Sequence, residues 1–207
     1  MNCFSLAELA RRYLLIFALF FASTVQAQYF WIDGDGDDKR IHSGELNKPQ
    51  SEALAVQGAR AFLADGKTVV LGAVDGVYKA GNTDSDLRFT GNRADDKSLT
   101  IYHARFGRQD TKAVSELELV PTAPGGNAFR LFWKGNAVSA SQVNVHTSEG
   151  WSRVLRPGAD GLISFNPSFP ALYVLEVSAK VNGAVTVDGK KYEDVRHVAT
   201  LSFRVDR

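Results

Sequence analysis

Sulfur is almost absent from this sequence. The 207 residues include one cysteine, Cys3, and one methionine, Met1. Cys3 lies in an N-terminal segment that we expect to be removed, so the mature chain is expected to contain no thiol. That excludes disulfides, thiolate metal ligands and a cysteine nucleophile.

The sequence also lacks an excess of charge of either sign. It has 24 Lys and Arg against 23 Asp and Glu, a formal net charge of +1. Such a balance argues against an extended nucleic-acid-binding surface. After residue 22 no apolar run approaches the length that crosses a bilayer. We therefore expect neither nucleic-acid binding nor membrane insertion of the mature chain.

The N-terminus has the three parts of a secretory signal peptide. Arg11 and Arg12 precede an apolar run over residues 13–22, and the small residues of 23–27 then end in Val25-Gln26-Ala27. This order predicts cleavage after Ala27, giving a signal peptide over residues 1–27. The alternative is a membrane anchor, but the run is too short to span about 30 Å of hydrocarbon. A periplasmic or secreted location follows.

The mature sequence alternates apolar and polar residues in many short runs. Val143 and Val145 alternate with polar neighbours, as do Tyr173, Leu175 and Val177, and glycine-containing turns separate such runs. Period-two alternation is typical of strands with one buried face. No segment has the periodicity of a long helix. The pattern predicts an all-β fold of the immunoglobulin- or transthyretin-like sandwich type, in two modules over residues 28–112 and 113–207, joined by a polar linker near residues 107–113.

Motifs of the common enzyme classes are missing. The sequence contains no G-x-S-x-G, no H-E-x-x-H and no phosphate-binding glycine loop. We therefore expect no enzymatic activity. Trp31, Trp133 and Trp151 leave open a weaker alternative, a carbohydrate-binding module, although Trp31 and Trp133 lie in strand patterns that predict burial.

Several segments together resemble an exported bacterial family of unknown function, the NikM-like proteins, which are often described as periplasmic components of nickel or cobalt transport. The segments that carry the resemblance are residues 28–33, 43–45, 150–153, 159–161, 173–177, 188–192 and 196–201. Residues 127–177 also resemble the transthyretin-like module of carboxypeptidase regulatory domains. The resemblance implies a periplasmic β-sandwich that serves transition-metal uptake, with a membrane transporter or outer-membrane receptor as partner. The alternative is a non-catalytic structural or protein-interaction sandwich without metal.

One departure from that family bears on metal binding. Members often begin the mature chain with a histidine, which chelates through its α-amine and imidazole, whereas this sequence has Gln28. The remaining ligand candidates are His42, His103, His146 and His197, and no two have the spacing of a local metal motif. His146 lies on the polar side of its strand, so we expect it to be solvated.

His103 and His197 fall on the apolar sides of their strands, where a lone histidine is usually a core residue. They are nevertheless the best candidates for a nickel or cobalt site, and we expect such a site to draw imidazoles from different strands. Metal affinity should then fall as the pH drops through about 6.5.

An acidic run over residues 33–38 suggests a calcium loop at first sight. Asp33, Asp35 and Asp37 alternate as hard-cation ligands would. The EF-hand pattern requires glycine at position six and glutamate at position twelve, where this sequence has Asp38 and Gly44. A solvated hairpin turn is therefore the preferred interpretation.

Overall fold

A computed structural model describes residues 28–34, 38–49, 52–81, 83–140 and 142–206. The signal-peptide prediction and the residues Asp35 and Asp37 lie outside this part of the chain. Within it there is no helix. The described residues form strands β1 (Tyr29–Asp33), β2 (Lys39–Glu45), β3 (Lys48–Pro49), β4 (Gln57–Phe62), β5 (Thr68–Val69), β6 (Leu71–Val74), β7 (Val77–Ala80), β8 (Leu87–Ala94), β9 (Ser98–Phe106), β10 (Leu117–Pro121), β11 (Ala128–Trp133), β12 (Asn136–Val138), β13 (Val143–Thr147), β14 (Ser152–Leu155), β15 (Leu162–Ser164), β16 (Ala171–Val181), β17 (Val185–Val187), β18 (Lys190–Tyr192) and β19 (Asp194–Val205).

An eight-stranded central sheet organises these strands. Its order is β14-β13-β16-β19-β9-β8-β4-β5. Strands β19 and β9 pair in parallel, with Ala199 opposite His103, whereas the other neighbours are antiparallel. The central sheet thus contains strands from both sides of the predicted boundary at residue 112. The division into two modules stays a prediction.

A smaller sheet covers one face of the central sheet. We call it the C-terminal cover sheet; it consists of β10, β11 and β12, with β15 paired to β11. Leu117, Leu119, Phe129 and Leu131 from this sheet pack in one buried cluster with residues of β13, β16 and β19. The contact between two apolar sheet faces confirms the predicted all-β sandwich.

Another sheet covers the opposite face. This N-terminal cover sheet has the order β1-β2-β7-β6, with β3 paired to β2. Phe30 packs against Phe89 and Tyr102 of the central sheet, with ring centroids 5.0 and 5.1 Å away. Thr200 also donates a buried 2.6 Å hydrogen bond to the carbonyl of Phe30. The central sheet is therefore buried on both faces. On strand β16, Leu172 lies in the core beneath the N-terminal cover sheet, whereas Leu175 lies in the core beneath the C-terminal cover sheet.

A buried charge network fixes the segment between β9 and β10. Arg88 and Arg105 are 0% and 1% exposed, and both donate to the Oε1 atom of Glu118, at 2.8 and 3.0 Å. Asp86 accepts from Arg105 at 2.7 Å and from the backbone amide of Asp110 at 2.9 Å. The predicted linker is therefore tied to the central sheet by its own backbone and by buried side chains. This attachment positions residue 116 next to the site described below.

Candidate functional site

The fold brings His103 and His197 into contact. They lie on adjacent parallel strands, β9 and β19, and both side chains face the C-terminal cover sheet. His103 Nε2 is 3.0 Å from His197 Nδ1, and the two rings are nearly parallel, with an interplanar angle of 9°. The residues are 6% and 3% exposed. Because 94 residues separate them in the chain, no spacing rule could have revealed the contact.

Residues of the C-terminal cover sheet and the segment before it surround the histidine pair. The Trp133 ring packs edge-on against His197, with centroids 4.6 Å apart. On the far side of the same imidazole, Glu116 Oε2 lies 3.9 Å from His197 Nε2. A cavity of about 240 Å³ adjoins His103 and is also lined by Arg60 and Glu116. No motif in the sequence points to Glu116, whose placement depends on the buried charge network.

Burial keeps both imidazoles in the neutral form near neutral pH. It lowers the pKa of His103 to about 3, with a smaller contribution from the neighbouring His197. Burial likewise lowers the pKa of His197, against the opposing effect of the Glu116 carboxylate. Neutral imidazole is the form that binds metal ions, so neither ring has to lose a proton before it binds one. Protonation of His103 should therefore weaken metal binding near pH 3 rather than near the expected pH of about 6.5.

The hydrogen-bonding pattern leaves one buried nitrogen unused. One ring nitrogen in the contact donates and the other accepts, according to the tautomer of each ring. His103 Nδ1 is buried and has no hydrogen-bond partner. If Glu116 attracts the proton of His197 to Nε2, then His197 Nδ1 accepts from His103 Nε2, and the unused His103 Nδ1 carries a lone pair. A buried acceptor of this kind is costly unless something binds it.

The donor set fits a transition metal ion in part. Two imidazole nitrogens that bind one ion at about 2.0–2.1 Å lie about 3 Å apart in neighbouring coordination positions, close to the separation found here. The ion would replace the hydrogen bond between the two rings, and His103 would then carry its proton on Nδ1. Glu116 lies beyond the other nitrogen of His197, so it cannot join that set in this arrangement. Among the described residues, no group of three or more His, Cys, Asp or Glu side chains could hold one ion. The chain therefore offers two nitrogen ligands and leaves the other positions to water or to a partner.

The two other histidines stack on aromatic rings elsewhere. His42 stacks on Trp31, with centroids 5.2 Å apart, and His146 stacks on Tyr29 at 5.8 Å. His146, which we expect to be solvated, is half-buried, because the N-terminal cover sheet lies over part of the polar side of its strand. Burial lowers the pKa of both imidazoles.

The described carboxylates of the acidic run are neutralised by basic side chains. Asp33 accepts two 2.9 Å hydrogen bonds from Arg204. Asp38 lies 3.3 Å from Lys79 Nζ and 3.4 Å from Arg40 Nη2. Strands β1 and β2, which flank the run, form an antiparallel pair whose last partners before the turn are Asp33 and Arg40. These contacts favour the hairpin-turn interpretation over the calcium loop.

Comparison with known proteins adds no identification. No protein-family model matches the chain, and no curated protein is significantly similar to it. The part of the chain that the structure describes has no helix long and apolar enough to cross a membrane.

Proposed function

We propose that this chain is an exported, non-catalytic binding protein that carries a transition metal ion, nickel or cobalt, on His103 and His197. The observation that carries the proposal is the approach of two neutral, buried imidazoles, 3.0 Å apart, from two neighbouring strands. The ion is the cargo of the protein. A membrane transporter or an outer-membrane receptor is the partner that receives it.

The incomplete ligand set agrees with a carrier role. A storage or structural site holds its ion with a full set of protein ligands, whereas two ligands leave positions through which a partner can take over the ion. Imidazole suits nickel and cobalt, and it binds them without the thiolates that this chain lacks. The resemblance of residues 196–201, which include His197, to a nickel- or cobalt-transport family supports the same choice of ion.

Calorimetric titration tests this function. The chain beginning at Gln28 is titrated with Ni²⁺, Co²⁺ and Zn²⁺, beside His103→Ala and His197→Ala. We expect one site with a dissociation constant of about 100 μM or tighter, equivalent to at least about 5.5 kcal/mol. Each substitution should weaken binding at least tenfold, because one of only two nitrogen ligands is lost.

His42→Ala is the matched control, because His42 is a partly buried imidazole that packs against a tryptophan, as His197 does. Its metal affinity should equal that of the unmodified protein. Circular dichroism of each variant confirms that the strands remain. Absence of binding, or equal binding by all variants, refutes the proposed site.

A second candidate function is a metal-free interaction module. It is favoured by an apolar groove of about 420 Å³ between the C-terminal cover sheet and β16, lined by Leu131, Trp133, Val138 and Val177 among others. Pockets with mostly apolar walls and polar rims commonly bind apolar groups of ligands or partners. A protein that fails the metal titration yet remains folded would support this second candidate.

A further inference from the structure

A second cavity lies on the opposite face of the central sheet from the histidine pair. It measures about 260 Å³ and is lined by Tyr29 and Glu45 of the N-terminal cover sheet and by Asn144, His146 and Glu176 of the central sheet. Asn144 and Glu176 are direct cross-strand neighbours on β13 and β16. The polar side chains thus converge from two layers on a space that the apolar cores do not fill.

Glu176 is the unusual member of this group. It is only 4% exposed, and its Oε2 atom accepts a 2.6 Å hydrogen bond from Asn144 Nδ2. None of the described residues forms an ion pair with Glu176, and none donates a hydrogen bond to its Oε1 atom. Burial of a carboxylate without a cation is unfavourable by several kcal/mol in typical proteins. A positive charge in the cavity next to Glu176 would offset part of this cost.

The electrostatics of the cavity favour the binding of a cation. Glu45 is a second carboxylate in its wall, and it too has no ion pair with a described residue. Burial raises the pKa of Tyr29 to about 12, and the charges of Glu176 and Glu45 add to this rise. The same two carboxylates oppose the effect of burial on the pKa of His146. Both ring side chains therefore experience a negative potential from this cavity.

We propose that this cavity binds an organic ammonium ion of a few carbon atoms. An ammonium group carries one positive charge and three N–H donors, and the cavity supplies the matching carboxylate, amide and imidazole acceptors. A volume of about 260 Å³ accommodates a small molecule rather than a peptide.

Titration with propylammonium chloride, monitored by the NMR signals of His146 and by calorimetry, tests the proposal. We expect saturable binding with a dissociation constant of about 10 mM or tighter, equivalent to about 2.7 kcal/mol or more. Glu176→Gln keeps the shape of the side chain and removes its charge, so binding should weaken at least tenfold. Propanol, the neutral analogue, should not bind.

Two further variants keep the test decisive. Glu149→Gln removes an exposed carboxylate in the β13–β14 turn and should leave propylammonium binding unchanged. Glu45→Gln should weaken binding even if Glu176→Gln fails to fold. The proposal is overturned if propylammonium does not bind or if propanol binds equally well. It is also overturned if the folded Glu45→Gln and Glu176→Gln variants bind propylammonium as tightly as the unmodified protein. His103→Ala should bind propylammonium normally, so the outcome is independent of the metal site.

Discussion

Arg105 and Glu118 form a buried ion pair across the segment that the sequence predicts as a linker. Arg105 Nη1 lies 3.0 Å from Glu118 Oε1, and the side chains are 1% and 3% exposed. Glu118 Oε2 also accepts hydrogen bonds from the backbone amides of Val114 and Ser115, at 2.6 and 2.8 Å. One carboxylate therefore holds two arginines and the segment that places Glu116 beside His197.

Loss of this carboxylate should be strongly destabilising. Glu118→Ala leaves Arg88 and Arg105 buried with fewer partners, and removal of one member of a buried ion pair typically costs about 3–5 kcal/mol. We expect the free energy of unfolding, measured in urea at pH 7, to fall by that amount. Glu149→Ala, on an exposed turn, should change it by less than about 0.5 kcal/mol. A loss below about 1 kcal/mol for Glu118→Ala would show that the network does not hold the segment.

Because both faces of the central sheet are buried, substitutions on either face should be destabilising. Leu172 and Leu175 lie on the same strand, are 2% and 0% exposed, and belong to different cores. Leu172→Ala and Leu175→Ala should each lower the free energy of unfolding by about 2–5 kcal/mol, because each leaves a cavity. Val154→Ala, at a position 52% exposed, is the control. A sheet with one solvated face would instead make one of the two leucine substitutions nearly neutral.

The stability of the protein should fall between pH 6.5 and pH 3. Burial lowers the pKa of His103 to about 3, so the unfolded chain binds a proton near pH 6.5 that the folded chain excludes. The contribution of His103 to stability is therefore complete above pH 6.5 and decreases with acidification, by up to about 1.4 kcal/mol per pH unit.

Urea unfolding at pH 7, 6 and 5 measures this dependence. The loss of stability between pH 6 and pH 5 should be smaller for His103→Leu than for the unmodified chain, by about 1 kcal/mol. Carboxylates contribute little to the difference, since both proteins share them. Equal slopes would contradict the burial of a neutral His103.

The sequence predicts the strands and the sandwich class because both depend on local alternation. Val143, Val145 and Leu175 show their buried side directly in the printed sequence. The doubly buried central sheet is harder to predict, since a strand such as β16 is apolar on both sides for most of its length. Its neighbour β19 pairs in parallel with β9, which is far away in the chain, and no local pattern specifies that partner.

For the candidate sites too, local sequence predicts some features, whereas others depend on contacts between distant strands. The apolar sides of β9 and β19 correctly predict that His103 and His197 are buried. Their contact, the approach of Glu116 and the cavity beside Glu176 depend on strand register and on how sheets cover one another. His146 illustrates this dependence, because a polar strand face can still be partly covered by another sheet. Pairing between distant strands therefore has to be known before such sites can be identified.

Anomalous diffraction from crystals of the chain beginning at Gln28, grown with Ni²⁺, locates a bound ion and so tests whether His103 and His197 hold it. We expect an anomalous peak about 2.0–2.1 Å from one nitrogen of His103 and one nitrogen of His197. The peak should be absent from crystals of His197→Ala and present in crystals of His42→Ala. No peak at the pair, or nickel bound only at His42 or His146, would contradict the assignment of His103 and His197 as the metal site.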